Sequence, residues 1–148
     1  MNPSIEIGPH ILNPSSLSSK MRKNETFELW HLGDWRGPVG EMNIGDPDPN
    51  EINLILSTDL NGVNAGSFFL RAGHWSDVFL DMWVEPMFMD REWVGYEQDA
   101  LVHLLAHHKY VRDHVALVGQ RNFNSYAMDA NDDLWREGEF VVHFAGCG

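Results

Sequence analysis

Cysteine, basic residues and long apolar runs are all scarce in this chain. The one cysteine among 148 residues, Cys147, excludes an internal disulfide framework and with it the usual architecture of a small secreted domain. Ten basic residues stand against 22 acidic ones, and the formal net charge is -12. This balance argues against nucleic acid and anionic membrane surfaces as partners, because both are bound by clustered lysine and arginine. No stretch reaches the roughly 18 apolar residues of a membrane-spanning helix.

The residues that are present suit an ordinary folded domain. A hydrophobic fraction of 43% is close to the globular average, and the length fits one domain over residues 1–148. Six Trp, eight Phe and three Tyr in so acidic a chain favour carbohydrate or cation chemistry. Met1–Glu6 has neither the basic nor the apolar region of a signal peptide, so none is predicted there.

Strands and helices alternate along the chain, which predicts an α/β fold with long loops. Pro47 and Pro49 disfavour regular structure around them, and Asp59–Gly62 has the composition of a turn. The pattern predicts a short helix within 18–32, loop over 33–53, strands at 52–57, 67–71, 115–118 and 140–144, and helices at 75–83 and 97–109.

The segment from Asp59 to Arg71 is the sharpest local pattern. Gly62, Ala65 and Gly66 are small enough to let another group approach the backbone. Asn61 and Asn64 offer hydrogen-bond donors and acceptors, which suits a recess for a sugar hydroxyl or a phosphate. A turn that leads into a buried strand explains the same residues equally well.

Glu97 and Gln98 begin the second predicted helix. Acidic residues in a first turn interact favourably with the helix dipole, so capping is one explanation. The other is functional: a carboxylate and an amide at a helix start beside a cleft can hold sugar hydroxyls. The residues alone leave both explanations open.

Histidines are the candidate metal ligands. His103 and His107 are spaced i, i+4, but the glutamate of a zinc protease motif is missing, so a structural role is favoured. His143 lies at the end of a predicted strand, where it is either structural or a metal ligand or acid–base group. Cys147 has no neighbouring Lys or Arg to lower its pKa, which argues against a cysteine hydrolase.

Several segments together carry a resemblance that spans essentially the whole chain. They are Met1–Ile5, His10–Pro14, Asp59–Arg71, Trp75–Ser76 with Phe79–Trp83, Glu97–Leu101, Gln120–Arg121 with Phe123–Tyr126, and His143–Cys147. In this order they resemble glycosyltransferase family 34, the fungal galactosyl- and mannosyltransferases with plant xylosyltransferase relatives.

The resemblance implies a GT-A fold, a Rossmann-like α/β domain that binds a nucleotide-sugar and Mn²⁺ and retains the anomeric configuration of the donor sugar. It makes His143 a metal ligand and places Asn64, Ala65 and Gly66 along the donor-sugar pocket. Asn61 and Gly146 are further candidates for substrate binding.

Glu97 and Gln98 correspond to the pair near the reacting anomeric carbon. Related plant enzymes tend to carry Asp-Asp-Gln there, and Tyr96 departs from that pattern, so the carboxylate role is expected of Glu97 alone.

In the family, an Asp-x-Asp metal motif immediately precedes the stretch that here is Asn2–Ile5. Asp46-Pro47-Asp48 lies in a proline-rich segment and is a poor substitute. The expectation is therefore a C-terminal fragment of a GT-A domain, its acceptor-side half, from a parent hexosyltransferase anchored on the lumenal side of the Golgi membrane. Its substrates would be UDP-galactose or GDP-mannose and a glycan, and the isolated chain would be inactive. The alternative is a non-catalytic sugar-binding protein or a decayed remnant.

Overall fold

The computed structural model describes residues 11–32, 36–85, 93–127 and 134–144. Its elements in chain order are α1 (Pro14–Lys20), β1 (Glu25–Leu29), β2 (Gly40–Ile44), β3 (Leu54–Asp59), β4 (Gly62–Leu70), α2 (His74–Trp83), α3 (Tyr96–His107), α4 (Lys109–Arg112), β5 (Val115–Gly119), a 3-10 turn (Gln120–Asn122), β6 (Ser125–Tyr126) and β7 (Val142–His143).

A three-stranded mixed sheet in the order β4–β3–β5 lies at the centre. β3 runs antiparallel to β4 across a tight turn and parallel to β5. Alternate residues of β3 and β5 point to opposite faces of the sheet. Leu56 and Leu117 accordingly belong to a core with α2 and α3, whereas Ile55 and Val118 belong to a second core with α1. Because both faces are covered, every residue of β3 before Asp59 is buried, and the first three, Leu54–Leu56, are apolar.

A separate antiparallel ribbon of β1 and β2 packs beside α3. Its buried side chains, including Leu29, Met42 and Ile44, join the core that contains α3. Contact with the helix is close, since a methyl group on Gly40 would lie 2.9 Å from the Cβ of Ala106.

Two predictions were wrong in the region of the ribbon. The helix predicted within 18–32 is instead the end of α1 followed by β1, and the loop predicted over 33–53 contains β2. Met42 and Ile44 are buried and alternate with exposed Glu41 and Asn43, which is a strand pattern. The glycines and prolines on either side obscured this short alternation in the sequence.

The other predicted elements are present, with shifted ends. β3, β4, β5, α2 and α3 are confirmed, and the Asp59–Gly62 turn joins β3 to β4. The strand predicted over 140–144 is shorter, because only Val142 and His143 pair with β6. The mixed α/β class is thereby confirmed, and the GT-A assignment stays a prediction. No helix in the described ranges is long and apolar enough to cross a membrane.

Candidate functional site

A bulge in β4 forms the centre of the candidate site. Leu56 pairs with Phe68, but its neighbour Ser57 pairs with Asn64, so the residues between Asn64 and Phe68 have no partners on β3. Two of them, Ala65 and Gly66, are predicted site residues. A bulge redirects a strand locally, and here it pushes small residues outward at the end of the sheet that carries the turn.

Asn64 is the hub of the hydrogen bonds that hold this bulge. Its side-chain NH₂ donates to Asp59 Oδ2 at 2.7 Å and to the Tyr126 hydroxyl at 2.8 Å. Its Oδ1 accepts from the Gly66 N–H at 2.7 Å and from Asn124 Nδ2 at 2.8 Å. The residue is 6% exposed, and both donors and both acceptor positions of its amide are engaged. Asn64 therefore fixes the conformation of the backbone at Gly66.

Asp59 connects the turn to this hub. Its Oδ1 accepts from the Asn61 N–H at 2.7 Å, which is the local bond of an Asx turn. Its Oδ2 accepts from Asn64 and from the hydroxyl of Tyr126. The sequence showed Asp59 only as a turn residue and gave no reason to select Tyr126, because their contact joins positions 67 residues apart.

His143 lies over the bulge. β7 pairs in parallel with β6, placing His143 beside Tyr126 with ring centroids 5.5 Å apart. A methyl group on Gly66 would lie 2.7 Å from each ring nitrogen of His143, so only glycine leaves room for the imidazole. Within the described residues, the buried Nδ1 of His143 has no hydrogen-bond partner.

The surroundings of His143 favour its neutral form. Burial lowers the pKa of His143 below its usual value, and the negative charge of Asp59 opposes this only in part. A neutral imidazole is the form that binds a metal ion.

The first turn of α3 reaches the bulge through Gln98, whose Oε1 accepts from the Ala65 N–H at 3.1 Å. Glu97 is exposed, and its backbone carbonyl accepts from Trp83 Nε1 at 2.9 Å. The buried Asp99 accepts from the N–H groups of Leu32 and Gly95 at 2.7 and 2.8 Å, which ties the start of α3 to the segment that follows β1.

Tyr96 adds backbone strain at the same helix start. It has a φ of +48°, an unfavourable conformation for a residue other than glycine. Strain of this kind clusters at functional sites and costs about 1–3 kcal/mol.

Glu139 anchors the segment that carries His143. Its carboxylate accepts from Arg121 Nε at 2.6 Å, Ser125 Oγ at 2.7 Å and the Arg136 N–H at 2.9 Å. Partial burial acts to raise the pKa of Glu139, but these hydrogen bonds and the guanidinium charge hold it below its usual value. The carboxylate thus links the 3-10 turn and β6 to the segment before β7.

The structure unites most of the predicted site residues. Asn64, Ala65, Gly66, Gln98 and His143 form one cluster, joined by hydrogen bonds and by the close approach of His143 to Gly66.

The remaining predicted residues lie apart from this cluster or cannot be placed. Asn61 is exposed at the tip of the turn, and the Glu97 side chain is exposed at the start of α3. Gly146 and Cys147 lie outside the described residues. The rings of His103 and His107 are 4.4 Å apart, but no group of three or more His, Cys, Asp or Glu side chains in the described part could hold a metal.

Residues 1–148 match the galactosyl transferase GMA12/MNN10 family, and the chain belongs to that family. The family predicted from the sequence is thereby confirmed.

Among its relatives is an uncharacterized alpha-1,2-galactosyltransferase of Schizosaccharomyces pombe, 36% identical over 99% of this chain and 38% of that protein. An alpha-1,2-galactosyltransferase of the same yeast is 30% identical over the same shares. The probable alpha-1,6-mannosyltransferase MNN10 of Saccharomyces cerevisiae is 28% identical over 72% of this chain and 31% of that protein. The chain thus spans about two fifths of the length of its first relatives, 38% in both. No solved structure matches the chain.

Proposed function

We propose that this chain is part of a retaining hexosyltransferase that transfers galactose or mannose from UDP-galactose or GDP-mannose to a glycan. The observation that carries this proposal is the convergence of Asn64, Gly66, Gln98 and His143 at one bulge, in a chain whose relatives are named galactosyl- and mannosyltransferases. No observation favours the alternative of a non-catalytic or decayed protein.

His143 is the proposed protein ligand of Mn²⁺ in this chain. Its unpartnered Nδ1 and its preference for the neutral form suit metal binding, and imidazole is an acceptable ligand for this ion. Such a cation stabilises the negative charge that develops on a nucleoside diphosphate leaving group. The Asp-x-Asp pair that the family resemblance implies would supply the carboxylate ligands.

Side chains of this chain are proposed to position the backbone around the metal ligand. Asn64 and Gln98 hold the backbone at Gly66 and Ala65, which keeps the space under the His143 imidazole open. Glu97 is exposed, and its carboxylate is the proposed group that stabilises positive charge on the sugar ring. The parent enzyme is proposed to act at the lumenal side of the Golgi membrane.

A donor screen with the longest product of the gene tests this function. UDP-galactose and GDP-mannose are offered separately with Mn²⁺ and a methyl α-mannoside acceptor, and NMR identifies the anomeric configuration of the product. We expect transfer from one donor with retention. Absence of transfer from both donors, or an inverted product, would contradict the proposal. The 148-residue chain alone should give no transfer, because Asp46-Pro47-Asp48 is a poor substitute for the Asp-x-Asp pair that the family resemblance implies.

A further inference from the structure

The outer face of the β1–β2 ribbon borders a cleft of about 710 Å³ that no element of the described fold fills. The cleft lies between the ribbon and the turn that begins at Asp59. Its volume falls in the range of about 300–1,000 Å³ that is usual for small-molecule sites. Asp59 lines the cleft and also binds Asn64, so the cleft and the candidate site share a side chain.

The ribbon places two carboxylates side by side on this cleft. Glu28 of β1 pairs directly with Glu41 of β2, and both are exposed and line the cleft. Like charges directly opposite each other destabilise a strand pair. None of the described residues that line the cleft is a lysine or arginine. The pair therefore costs the ribbon stability, and its two carboxylates face the cleft without a lysine or arginine among the described lining residues.

Aromatic side chains complete the cleft. Trp30 and Phe27 line it, and the Trp30 indole N–H donates to Glu28 Oε2 at 3.2 Å, which orients the carboxylate and the ring together. Aromatic faces suit the apolar C–H faces of sugars, and carboxylates accept hydrogen bonds from their hydroxyl groups.

The charges decide which of the two substrates fits. The pyrophosphate of a nucleotide-sugar would lie among Glu28, Glu41 and Asp59, where no lysine or arginine among the described lining residues offsets the repulsion between like charges, and the proposed Mn²⁺ ligand His143 is not among the residues that line the cleft. A neutral saccharide meets no such repulsion. We propose that this cleft binds the acceptor glycan, with Glu28 and Glu41 as hydroxyl acceptors and Trp30 as the stacking surface. This inference rests on the proposed function.

A binding titration tests the inference without turnover. The 148-residue chain is titrated with linear α-linked mannotriose, followed by saturation-transfer NMR and tryptophan fluorescence. The Glu28→Gln, Glu41→Gln double variant keeps side-chain size and should bind about tenfold more weakly, as expected for losing charged acceptors of two hydrogen bonds. Trp30→Ala should weaken binding at least as much. The matched control, Asp77→Asn with Asp81→Asn on α2, removes two exposed charges outside the cleft and should bind like the unmodified chain.

Competition experiments separate the possible ligands. Mannotriose binding that UDP and spermine leave unchanged supports an acceptor site. Displacement by UDP would show a donor site, and displacement by spermine a polycation site, and either overturns the inference. It is also overturned if mannotriose does not bind saturably, or if the double glutamine variant binds it as tightly as the unmodified chain. The donor screen measures transfer independently, so failure of this titration is distinguishable from failure of the proposed function.

Discussion

At position 66, a side chain would compete with the imidazole of His143 for the same space. Gly66→Ala should therefore displace His143 and lower the kcat/KM of the parent enzyme by about 10–100-fold, the usual cost of disturbing a group that orients a metal ligand. Gly45→Ala is the matched control, because a methyl group there meets nothing within 4 Å. Equal kcat/KM values for the two variants would show that His143 does not depend on the space at Gly66.

Asn64 should matter for stability as much as for activity. Asn64→Ala leaves the Gly66 N–H, Asn124 Nδ2 and the carboxylate of Asp59 each without one hydrogen bond. We expect a loss of about 3 kcal/mol in the free energy of unfolding, measured by urea denaturation. Asn61→Ala removes an exposed side chain and should change this free energy by less than about 0.5 kcal/mol. A loss as small for Asn64 as for Asn61 would contradict the role of Asn64 as a hub.

At the scale of elements, the pairing of Glu28 with Glu41 should make the β1–β2 ribbon less stable than a ribbon with uncharged residues at these two positions. Neutralising the cross-strand pair with Glu28→Gln and Glu41→Gln should raise stability by about 0.2–1 kcal/mol, because like charges opposite each other are destabilising. Thermal unfolding at low ionic strength measures the gain, and 1 M salt should remove most of it by screening. A gain that persists in 1 M salt would show that charge repulsion is not its cause.

The segment that carries His143 should loosen in acid. The pKa of Glu139 is lowered in the folded chain, so its stabilising contribution is present above its pKa in the unfolded chain, about 4.3. The contribution is lost as the pH falls from that value through the lower folded pKa. Glu139→Gln should therefore be less stable than the unmodified chain at pH 7 and lose less stability between pH 5 and 3. Glu137→Gln, an exposed neighbour, is the control for urea unfolding across this range. Parallel pH profiles for the unmodified chain and the Glu139 variant would contradict this role.

Hydrophobic periodicity predicted the long elements and missed the ribbon. β3 begins with a run of apolar residues, and α3 carries a stripe of buried residues over several turns, so both stand out in the sequence. β2 has only Met42 and Ile44 as buried hydrophobic side chains, and the prolines at 47 and 49 dominated the pattern around it.

The candidate site was likewise predictable only where neighbouring residues carry the signal, and not where contacts join distant parts of the chain. The small residues at 65 and 66 are visible in the sequence, and the family resemblance pointed to His143. The sequence indicates Asn64 as a site residue but does not predict its hydrogen-bond network, because its partners include Tyr126 and Asn124, each about 60 residues away. Only the fold brings β6 against the bulge of β4.

At the scale of the whole molecule, two cores cover opposite faces of one small sheet, and the candidate site lies at the turn end of that sheet. The ribbon and its cleft lie on one side of the turn, and His143 lies over the bulge that follows it. This arrangement agrees with the proposed function, in which an acceptor saccharide meets a sugar held near a metal ion. Asp59 bonds within the bulge network and lines the cleft, so it connects the two.

The measurement that tests the central claim most directly is the Mn²⁺-dependent rate of hexosyl transfer to an α-mannoside by the longest product of the gene, with and without His143→Ala. We predict that the substitution abolishes the metal-dependent rate, whereas His74→Ala, at an exposed histidine at the start of α2, leaves it unchanged. An unchanged rate for His143→Ala would contradict the assignment of the metal-binding site to this cluster.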